Sequence, residues 1–241
     1  IVYDNGSQIQ NCTATGVTNR HLITAAHCVP AASGTQTFEV FTVLGQNAGT
    51  STALFSGTYS RLPGYSGTND YNDDLAIITL STNITHPNFT PARWGDFSAD
   101  ENETYNMGGF GRTNACQAVP DIPGVLHGMS LVVADDHYGR VDFANTSTKT
   151  TCQGDSGGSP YYLGTNSNGL RLRIPFASLS TGVLGGCSTG PSYCAARPPS
   201  ASGNAAESVF TLYDPNSSWI RSKVPGCSRY SINGRGYYKC F

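Results

Sequence analysis

One stretch, residues 152–160, constrains the chain more than any other, because it places a serine among residues that favour a tight turn. Its sequence is Cys-Gln-Gly-Asp-Ser-Gly-Gly-Ser-Pro, with Ser156 between Asp155 and two glycines. Glycines let the backbone turn tightly and approach a ligand closely. The N–H groups of Gly154 and Ser156 can then face an oxygen that becomes negative when the hydroxyl attacks a carbonyl. A serine hydroxyl is a weak nucleophile until a base takes its proton, so the chain needs a base and an acid that orients it.

The order of the candidate residues along the chain decides which base and acid fit. Residues 154–158 also match the G-x-S-x-G turn of α/β-hydrolases, but that fold needs its histidine after the serine. All five histidines precede Ser156, at positions 21, 27, 86, 127 and 137. The order acid, histidine, serine would leave only Asp4 ahead of His27. The remaining order is histidine, acid, serine, which is supplied by His27 in Thr-Ala-Ala-His-Cys and by the acids before the apolar run 75–80.

Together these three segments resemble the trypsin/chymotrypsin family of serine endopeptidases. The shared motifs are T-A-A-H-C, D-L-A-I-I and G-D-S-G-G in the family's order, with a weaker echo at residues 109–111. The resemblance implies a catalytic triad of His27, Asp74 and Ser156. Asp73 is a rival acid, but the family's motif places the acid directly before Leu-Ala, which selects Asp74.

Composition and patterning indicate an all-β fold. Glycine is abundant, with 28 residues among 241, and Thr, Ser, Val, Ile and Tyr are frequent. This mix suits many short strands joined by turns. Residues 216–224 predict one short closing helix, in which Trp219 and Ile220 can pack inward.

The resemblance adds an architecture that composition cannot supply. It implies two six-stranded antiparallel β-barrels, chymotrypsin-like, with the active site between them and a short C-terminal helix after the second barrel. The expected N-terminal barrel spans residues 1–100 and carries the histidine and the acid. The expected C-terminal barrel and helix span residues 101–226 and carry the serine, and a disulfide-stapled tail spans residues 227–241.

Eight cysteines, an even number, indicate disulfides formed in an oxidising compartment, since their spacing matches no metal-binding pattern. The resemblance pairs Cys12 with Cys28, which would pin His27, and Cys152 with Cys187 beside the specificity pocket. We predict two further pairs, at the pocket rim and in the tail, Cys116–Cys194 and Cys227–Cys240. Seven N-x-S/T sequons mark candidate glycosylated surface loops, at Asn5, Asn11, Asn83, Asn88, Asn102, Asn145 and Asn216.

The pair Ile1-Val2 also matches the family, in which cleavage of a precursor frees it. The new α-amino group then pairs with the carboxylate just before the nucleophile, here Asp155, because a buried ammonium needs a partner. Tyr3 and Asp4 depart from the two glycines that usually follow. No signal peptide is visible, so the sequence is expected to be a mature form.

The resemblance places the floor of the specificity pocket at Thr150, where trypsin-like members hold an aspartate. Without that charge a buried substrate cation would lack its partner. Ser178 is also expected to bond Asp74. The walls of the pocket are expected to include six side chains: Thr151, Gln153, Ser178, Leu179, Ser180 and Ser208. Such a pocket favours uncharged residues, small to medium or aromatic, before the cut. Its hydroxyl groups could instead accept a glutamate, and Glu207 would accept Arg or Lys if the alignment is one residue off.

These expectations favour a secreted, extracellular serine endopeptidase that forms an acyl-enzyme on protein or peptide substrates and needs no metal or cofactor. A net charge of −2 without a basic run argues against nucleic acid as a partner. No apolar stretch approaches the ~20 residues of a membrane span, and we expect a monomer. The alternative class is a protease-like binding protein without turnover, which labelling of Ser156 by a sulfonyl fluoride would distinguish.

Overall fold

The computed structural model describes the chain apart from residues 1, 5–8, 32–33, 42–51, 68–69, 88, 112–125, 146–150, 153 and 183–206. The described residues form seventeen β-strands, one 3-10 turn (Ala26–Cys28) and one α-helix, α1 (Ser217–Lys223). In chain order the strands are β1 (Val2–Asp4), β2 (Ile9–Asn11), β3 (Thr15–Gly16), β4 (His21–Thr24), β5 (Gly34–Phe41), β6 (Thr52–Arg61), β7 (Ala76–Leu80), β8 (Trp94–Asp96), β9 (Thr104–Gly109), β10 (His127–His137), β11 (Arg140–Ala144), β12 (Ser159–Thr165), β13 (Arg171–Pro175), β14 (Ala177–Gly182), β15 (Glu207–Leu212), β16 (Cys227–Ile232) and β17 (Arg235–Cys240). The all-β prediction with one short C-terminal helix is therefore confirmed.

The first sheet closes into a barrel-like arrangement. Its strand order is β2-β1-β5-β6-β7-β4-β3, and the paired neighbours are antiparallel. β2 and β3 stand at opposite ends of this order, although only residues 12–14 separate them in the chain. Such a connection reaches about 14 Å, whereas seven flat strands would span about 29 Å. The sheet must therefore curl until its ends approach, and the curled sheet encloses Leu22, Phe38, Ile78 and Leu80.

The second sheet closes by the same argument. Its order is β13-β12-β9-β10-β11-β15-β14, and the single residue Phe176 connects the two strands at its opposite ends. Proline lacks a backbone N–H, so Pro175 suits the point where β13 stops and the chain turns. Phe176 itself is fully buried, packed with Tyr105 and Phe97 in the core of this sheet. Two barrel-like sheets agree with the predicted chymotrypsin-like architecture.

In the described part of the chain, each sheet has seven strands where six were predicted. In the first sheet, residues 12–14 split the chain into two short strands, β2 and β3. In the second sheet, Phe176 splits it into β13 and β14. Both splits lie where the chain passes between the two ends of a closed sheet.

A third sheet joins the C-terminal tail to the segment between the barrels. β16 and β17 form a hairpin in which Cys227 faces Cys240, and β17 also pairs with β8. The hairpin turn is Asn233-Gly234, and both residues have positive φ angles of 51° and 81°. That geometry is the one that Asn-Gly favours in a two-residue hairpin. The segment between the two barrels therefore contains a strand, β8, that pairs with the tail.

An apolar cluster connects this third sheet to the first barrel and to the helix. Trp94 of β8 is fully buried and stacks on Tyr238 of β17 with ring centroids 4.3 Å apart. Ile220 of α1 is fully buried in the same cluster and Trp219 packs against it, as predicted for this helix. The remaining members come from both barrels, α1 and the tail, namely Val17, Ile23, Leu62, Leu75, Ile77, Tyr213, Val224 and Cys240. None of the described helices has the length and apolar character needed to cross a membrane.

Candidate active site

His27 lies in the 3-10 turn that follows β4. Ala25 and Ala26, just before it, are fully buried, because small side chains fit where the turn packs on the barrel. Cys28, just after it, forms the predicted disulfide with Cys12, with 6.1 Å between their Cα atoms. The imidazole is therefore fixed on both sides, while about a third of its surface (34%) remains accessible.

Asp74 precedes β7 and holds His27 through two hydrogen bonds. The backbone N–H of His27 donates to Oδ1 of Asp74 at 2.9 Å, and Nδ1 of the ring lies 2.7 Å from Oδ2. Asp74 is buried. The burial of nearby Tyr65 and, as a smaller cause, the negative charge of Asp74 raise the pKa of Tyr65 to about 12. Asp73, the rival acid, makes no hydrogen bond to His27, so the structure brings Asp74 and not Asp73 to the imidazole.

The hydroxyl that bonds Asp74 belongs to Ser180, so the prediction that Ser178 makes this bond is wrong. Ser180 Oγ donates to Oδ2 of Asp74 at 2.5 Å, whereas Ser178 is fully buried and its Oγ has no hydrogen-bond partner among the described residues. The pairing of β14 with β15 is irregular between Leu179 and Thr181, which flank Ser180. A β-bulge inserts one residue and re-aims a side chain, which the sequence motif does not reveal.

The loop that carries Ser156 packs against the turn that carries His27. Gly157, with a φ of 82°, lies so close to β4 that a Cβ there would fall 2.1 Å from Oγ1 of Thr24 and 2.2 Å from the carbonyl oxygen of Thr13. Only glycine fits this contact. The N–H of Gly157 donates to the carbonyl of Leu179 at 2.8 Å, which joins the loop to the strand that carries Ser180. Ser156, His27 and Asp74 are thus held by segments in direct contact.

Thr13 anchors the same loop from the first barrel, and sequence reasoning missed it. Its N–H donates to the carbonyl of Ser156 at 2.8 Å, and its hydroxyl donates to the carbonyl of Gly154 at 2.9 Å. The hydroxyl also accepts the N–H of Phe110 at 3.1 Å. The only signal in the sequence is its place next to Cys12.

The N–H groups of Gly154 and Ser156 make no hydrogen bonds to other described residues. Gly154 has a φ of 99°, a conformation that side chains rarely adopt, and it is buried. The N–H of this buried residue therefore has no hydrogen-bond acceptor among the described residues, so it can donate to a bound oxygen. The half-buried Ser156 hydroxyl also makes no hydrogen bond to another described residue, and catalytic contacts are often long before a substrate binds.

Asp155 occupies a narrow cradle of backbone groups. Its Oδ1 accepts the N–H of Gly111 at 2.8 Å and its Oδ2 accepts the N–H of Cys152 at 2.9 Å. A Cβ on Gly109 or Gly111 would fall 2.1 or 2.5 Å from Oδ1, which explains the Gly-Phe-Gly pattern at 109–111. Burial raises the pKa of Asp155, while the two backbone hydrogen bonds and the charge of His127 act in the opposite direction. Ile1, its predicted partner, lies outside the described residues.

Two of the predicted specificity residues form a pair of buried hydroxyls. Thr151 and Ser208 are buried and their hydroxyl oxygens lie 2.9 Å apart. Ser208 also donates to Oδ1 of Asn145 at 2.7 Å, and Nδ2 of Asn145 is buried without a partner in the described part of the chain. Asn145 was singled out in the sequence only as a sequon.

The other members of the pocket prediction are either in the core or undescribed. Leu179 is 1% exposed within the apolar core of the second barrel, so it cannot line a substrate pocket as predicted. Ser178 is likewise fully buried, and the hydroxyl of Ser180 bonds Asp74. Thr150, Gln153 and the side chain of Glu207 lie outside the described part of the chain.

All five described cysteines are in disulfides. The predicted Cys227–Cys240 bridge is present. Cys152 is disulfide-bonded, and its predicted partner Cys187 lies outside the described residues, as do Cys116 and Cys194. The sulfurs of Cys12 and Cys28 lie near His27, but a disulfide offers no thiolate to a metal ion.

The comparisons with known proteins agree with this geometry. The family model described as Trypsin matches residues 2–196. That range includes His27, Asp74 and Ser156 and ends before β15, α1 and the tail hairpin. The comparison with curated proteins found no match.

Proposed function

The chain belongs to the trypsin family of serine proteases, and we propose that it is a secreted serine endopeptidase with His27, Asp74 and Ser156 as its catalytic triad. The observation that carries the proposal is the pair of hydrogen bonds from His27 to the buried carboxylate of Asp74. A buried carboxylate on Nδ1 orients the ring and stabilises its cation, which is the role of the acid in acyl transfer.

The proposed mechanism begins with the tautomer of His27. With its Nδ1 proton donated to Asp74, the ring leaves Nε2 as an acceptor. Ser156 Oγ attacks the peptide carbonyl carbon while Nε2 takes the hydroxyl proton, and His27 then gives that proton to the departing amine. Water attacks the resulting acyl-enzyme by the same route and restores Ser156. No step uses a metal or a cofactor.

The oxyanion of each tetrahedral intermediate is proposed to bind the N–H groups of Gly154 and Ser156. Their lack of described partners and the anchoring of the loop by Thr13 support this role. Donors that are fixed before the reaction cost no reorganisation when charge develops, and one such donor is worth about 10²–10³ in kcat.

For specificity we propose uncharged side chains before the cut, small to medium or aromatic. The buried, mutually bonded hydroxyls of Thr151 and Ser208 support a neutral pocket wall. Glutamate is the alternative that hydroxyl groups favour, and Arg or Lys is the alternative if Glu207 reaches the pocket.

We also propose that a free α-amino group at Ile1 pairs with Asp155 in the active enzyme, so that activity depends on release of a precursor segment. The support is the state of Asp155, a half-buried carboxylate whose pKa is raised by desolvation and whose described hydrogen-bond donors are neutral N–H groups. Each oxygen retains a lone pair that an ammonium could use. Acetylation of the free amine should then lower kcat.

The test is cleavage of a diverse peptide library, read by mass spectrometry, with Ser156→Ala in parallel. Cuts that require Ser156 would establish the peptidase, and the residue before each cut would identify the pocket. Asp74→Asn should lower kcat/KM by about 10⁴ because it disturbs the tautomer, while the neighbouring Asp73→Asn should have little effect.

Two outcomes would contradict the proposal. Equal losses for Asp74→Asn and Asp73→Asn would exclude Asp74 as the orienting acid. No Ser156-dependent cuts, together with no covalent labelling of Ser156 by a sulfonyl fluoride, would indicate a binding protein without turnover.

A further inference from the structure

The sequons of this chain differ in whether the folded protein leaves room for a sugar. Five of the seven sequon asparagines lie in the described part, at positions 11, 83, 102, 145 and 216, and Asn5 and Asn88 lie outside it. N-glycosylation joins the side-chain nitrogen Nδ2 to a bulky, solvated oligosaccharide. A site is therefore compatible with the fold only if Nδ2 faces solvent and has no structural partner.

Three asparagines fail this requirement. Nδ2 of Asn145 is buried while its Oδ1 accepts the hydroxyl of Ser208. Nδ2 of Asn216 donates to the carbonyl of Leu212 at 3.0 Å, just before α1. Asn11 is half-buried, and its Nδ2 faces the loop that carries Ser156, 3.5 Å from the point where a Cβ on Gly154 would sit. A glycan on any of these would displace groups that the fold uses.

Asn83 and Asn102 meet the requirement. Asn83 is exposed between β7 and a buried anchor, Ile84, whose N–H donates to the carbonyl of Asn19 at 2.8 Å. The buried neighbour fixes the backbone while the side chain of Asn83 faces solvent. Thr85, the hydroxyl residue of this sequon, is also exposed, and Asn83 makes no hydrogen bond to another described residue.

Asn102 stands at the tip of a turn that leads into β9. Its φ of 64° is unusual for a residue other than glycine and is tolerated by asparagine. Its backbone N–H donates to Val133 at 3.1 Å, and the following Glu103 N–H donates to Asp100 at 3.1 Å, so the turn is fixed from within. The side chains of Asn102 and Thr104 are exposed.

We propose that Asn83 and Asn102 are N-glycosylation sites of this protein and that Asn11, Asn145 and Asn216 are not. The inference rests on the proposed secretion, because the modification requires passage through a compartment that performs it. In the transfer, Nδ2 loses one proton and bonds to C1 of the first sugar of a lipid-diphosphate-linked oligosaccharide. The bond from C1 to the diphosphate breaks, and the lipid diphosphate leaves.

The experiment is secretion of the full chain from yeast cells, isolation of the folded protein and site-by-site mass spectrometry. Enzymatic removal of the glycans in heavy-oxygen water converts each glycosylated asparagine to labelled aspartate. We expect the label in most molecules at Asn83 and Asn102 and none at Asn11, Asn145 or Asn216. A label at any of those three in folded protein, or none at Asn83 or Asn102, would overturn the assignment.

Matched variants remove the sequons without changing the asparagines. Thr85→Ala and Thr104→Ala should each abolish one glycan, and Thr104→Ala keeps the asparagine that tolerates the positive φ at position 102. Ser218→Ala destroys the Asn216 sequon on the exposed face of α1 and should leave the glycan mass unchanged. These readouts do not use peptidase activity. A labelled but inactive protein would overturn the proposed function alone, and an active protein without the labels would overturn only this inference.

Discussion

Ser180 and Ser178 provide a matched pair for testing how Asp74 is held. Asp74 accepts three hydrogen bonds, two from His27 and one from Ser180 at 2.5 Å. A hydrogen bond to a charged group contributes about 1.5–3 kcal/mol, so Ser180→Ala should destabilise the protein by roughly that amount. For a chain of this length each kcal/mol lowers Tm by about 2–4 °C, which predicts a fall of about 3–12 °C.

The control, Ser178→Ala, removes a buried hydroxyl that bonds none of the residues that the structure describes. Removing an unsatisfied polar group is nearly neutral or stabilising, so Tm should stay the same or rise. Both variants are best measured by calorimetry in a Ser156→Ala background, which prevents self-digestion. Equal Tm values for the two variants, or a larger loss for Ser178→Ala, would refute the assignment of the Asp74 bond.

The kcat/KM values of the same two variants distinguish a role of Ser180 in positioning Asp74 from a role in stability alone. If Ser180 helps to hold Asp74 against the imidazole, Ser180→Ala should lower kcat/KM, by about tenfold for each 1.4 kcal/mol lost in the transition state. Ser178→Ala should leave kcat/KM unchanged. A drop in Tm with no change in kcat/KM would show that Ser180 contributes to the fold alone.

Three further predictions follow from the described contacts. Gly157→Ala should lower the unfolding free energy by about 2–5 kcal/mol, because the residue has a positive φ and its Cβ would lie 2.1 Å from the nearest neighbour. Gly169→Ala also has a positive φ, but its Cβ would have nothing within 4 Å, so it should lower the unfolding free energy by only about 1–2 kcal/mol. Both values can be measured by denaturant unfolding. Burial raises the pKa of the Asp136 carboxyl above 3.8, so the stability that its protonated form contributes is lost as pH rises through the folded-state pKa. The unfolding free energy of Asp136→Asn, relative to that of the parent, should therefore be higher at pH 7 than at pH 4. A difference that does not change with pH would contradict this. Replacing Cys227 and Cys240 by serine opens a bridge with a sequence separation of 13 and should lower the unfolding free energy by about 3 kcal/mol, and an unchanged Tm would contradict that estimate.

The sequence predicted those parts of the candidate site that depend on local motifs. The Thr-Ala-Ala-His-Cys segment, the acid before Leu-Ala and the Gly-Asp-Ser-Gly-Gly turn each hold one chemical group, and their order excluded the other hydrolase arrangements. The Cys12–Cys28 bridge, which the family resemblance implied, is present. The motifs could be read from the sequence because each is a short contiguous run of residues.

The sequence did not predict features that depend on pairing between distant strands. The irregularity between Leu179 and Thr181 exists only in the register of β14 against β15, and the sequence prediction assigned the Asp74 bond to Ser178, two residues before Ser180. Thr13 bonds a loop more than a hundred residues away, and nothing in its neighbourhood signals that contact. The tail hairpin is different, since its Asn233-Gly234 turn was a readable signal that went unused.

The tail contributes to the candidate site although it lies far from it in the chain. Tyr238 and Cys240 of the hairpin pack in one buried cluster with Ile23, Leu75 and Trp94. Ile23 belongs to the strand that leads into the turn of His27, and Leu75 directly follows Asp74, which holds that imidazole. Because protein interiors are densely packed and transmit strain, loosening the hairpin should disturb these two segments. Ile232 and Tyr237 of the same hairpin pack in the core of the second barrel, so that barrel should loosen as well. Opening the tail disulfide is therefore expected to lower activity at temperatures below the global Tm.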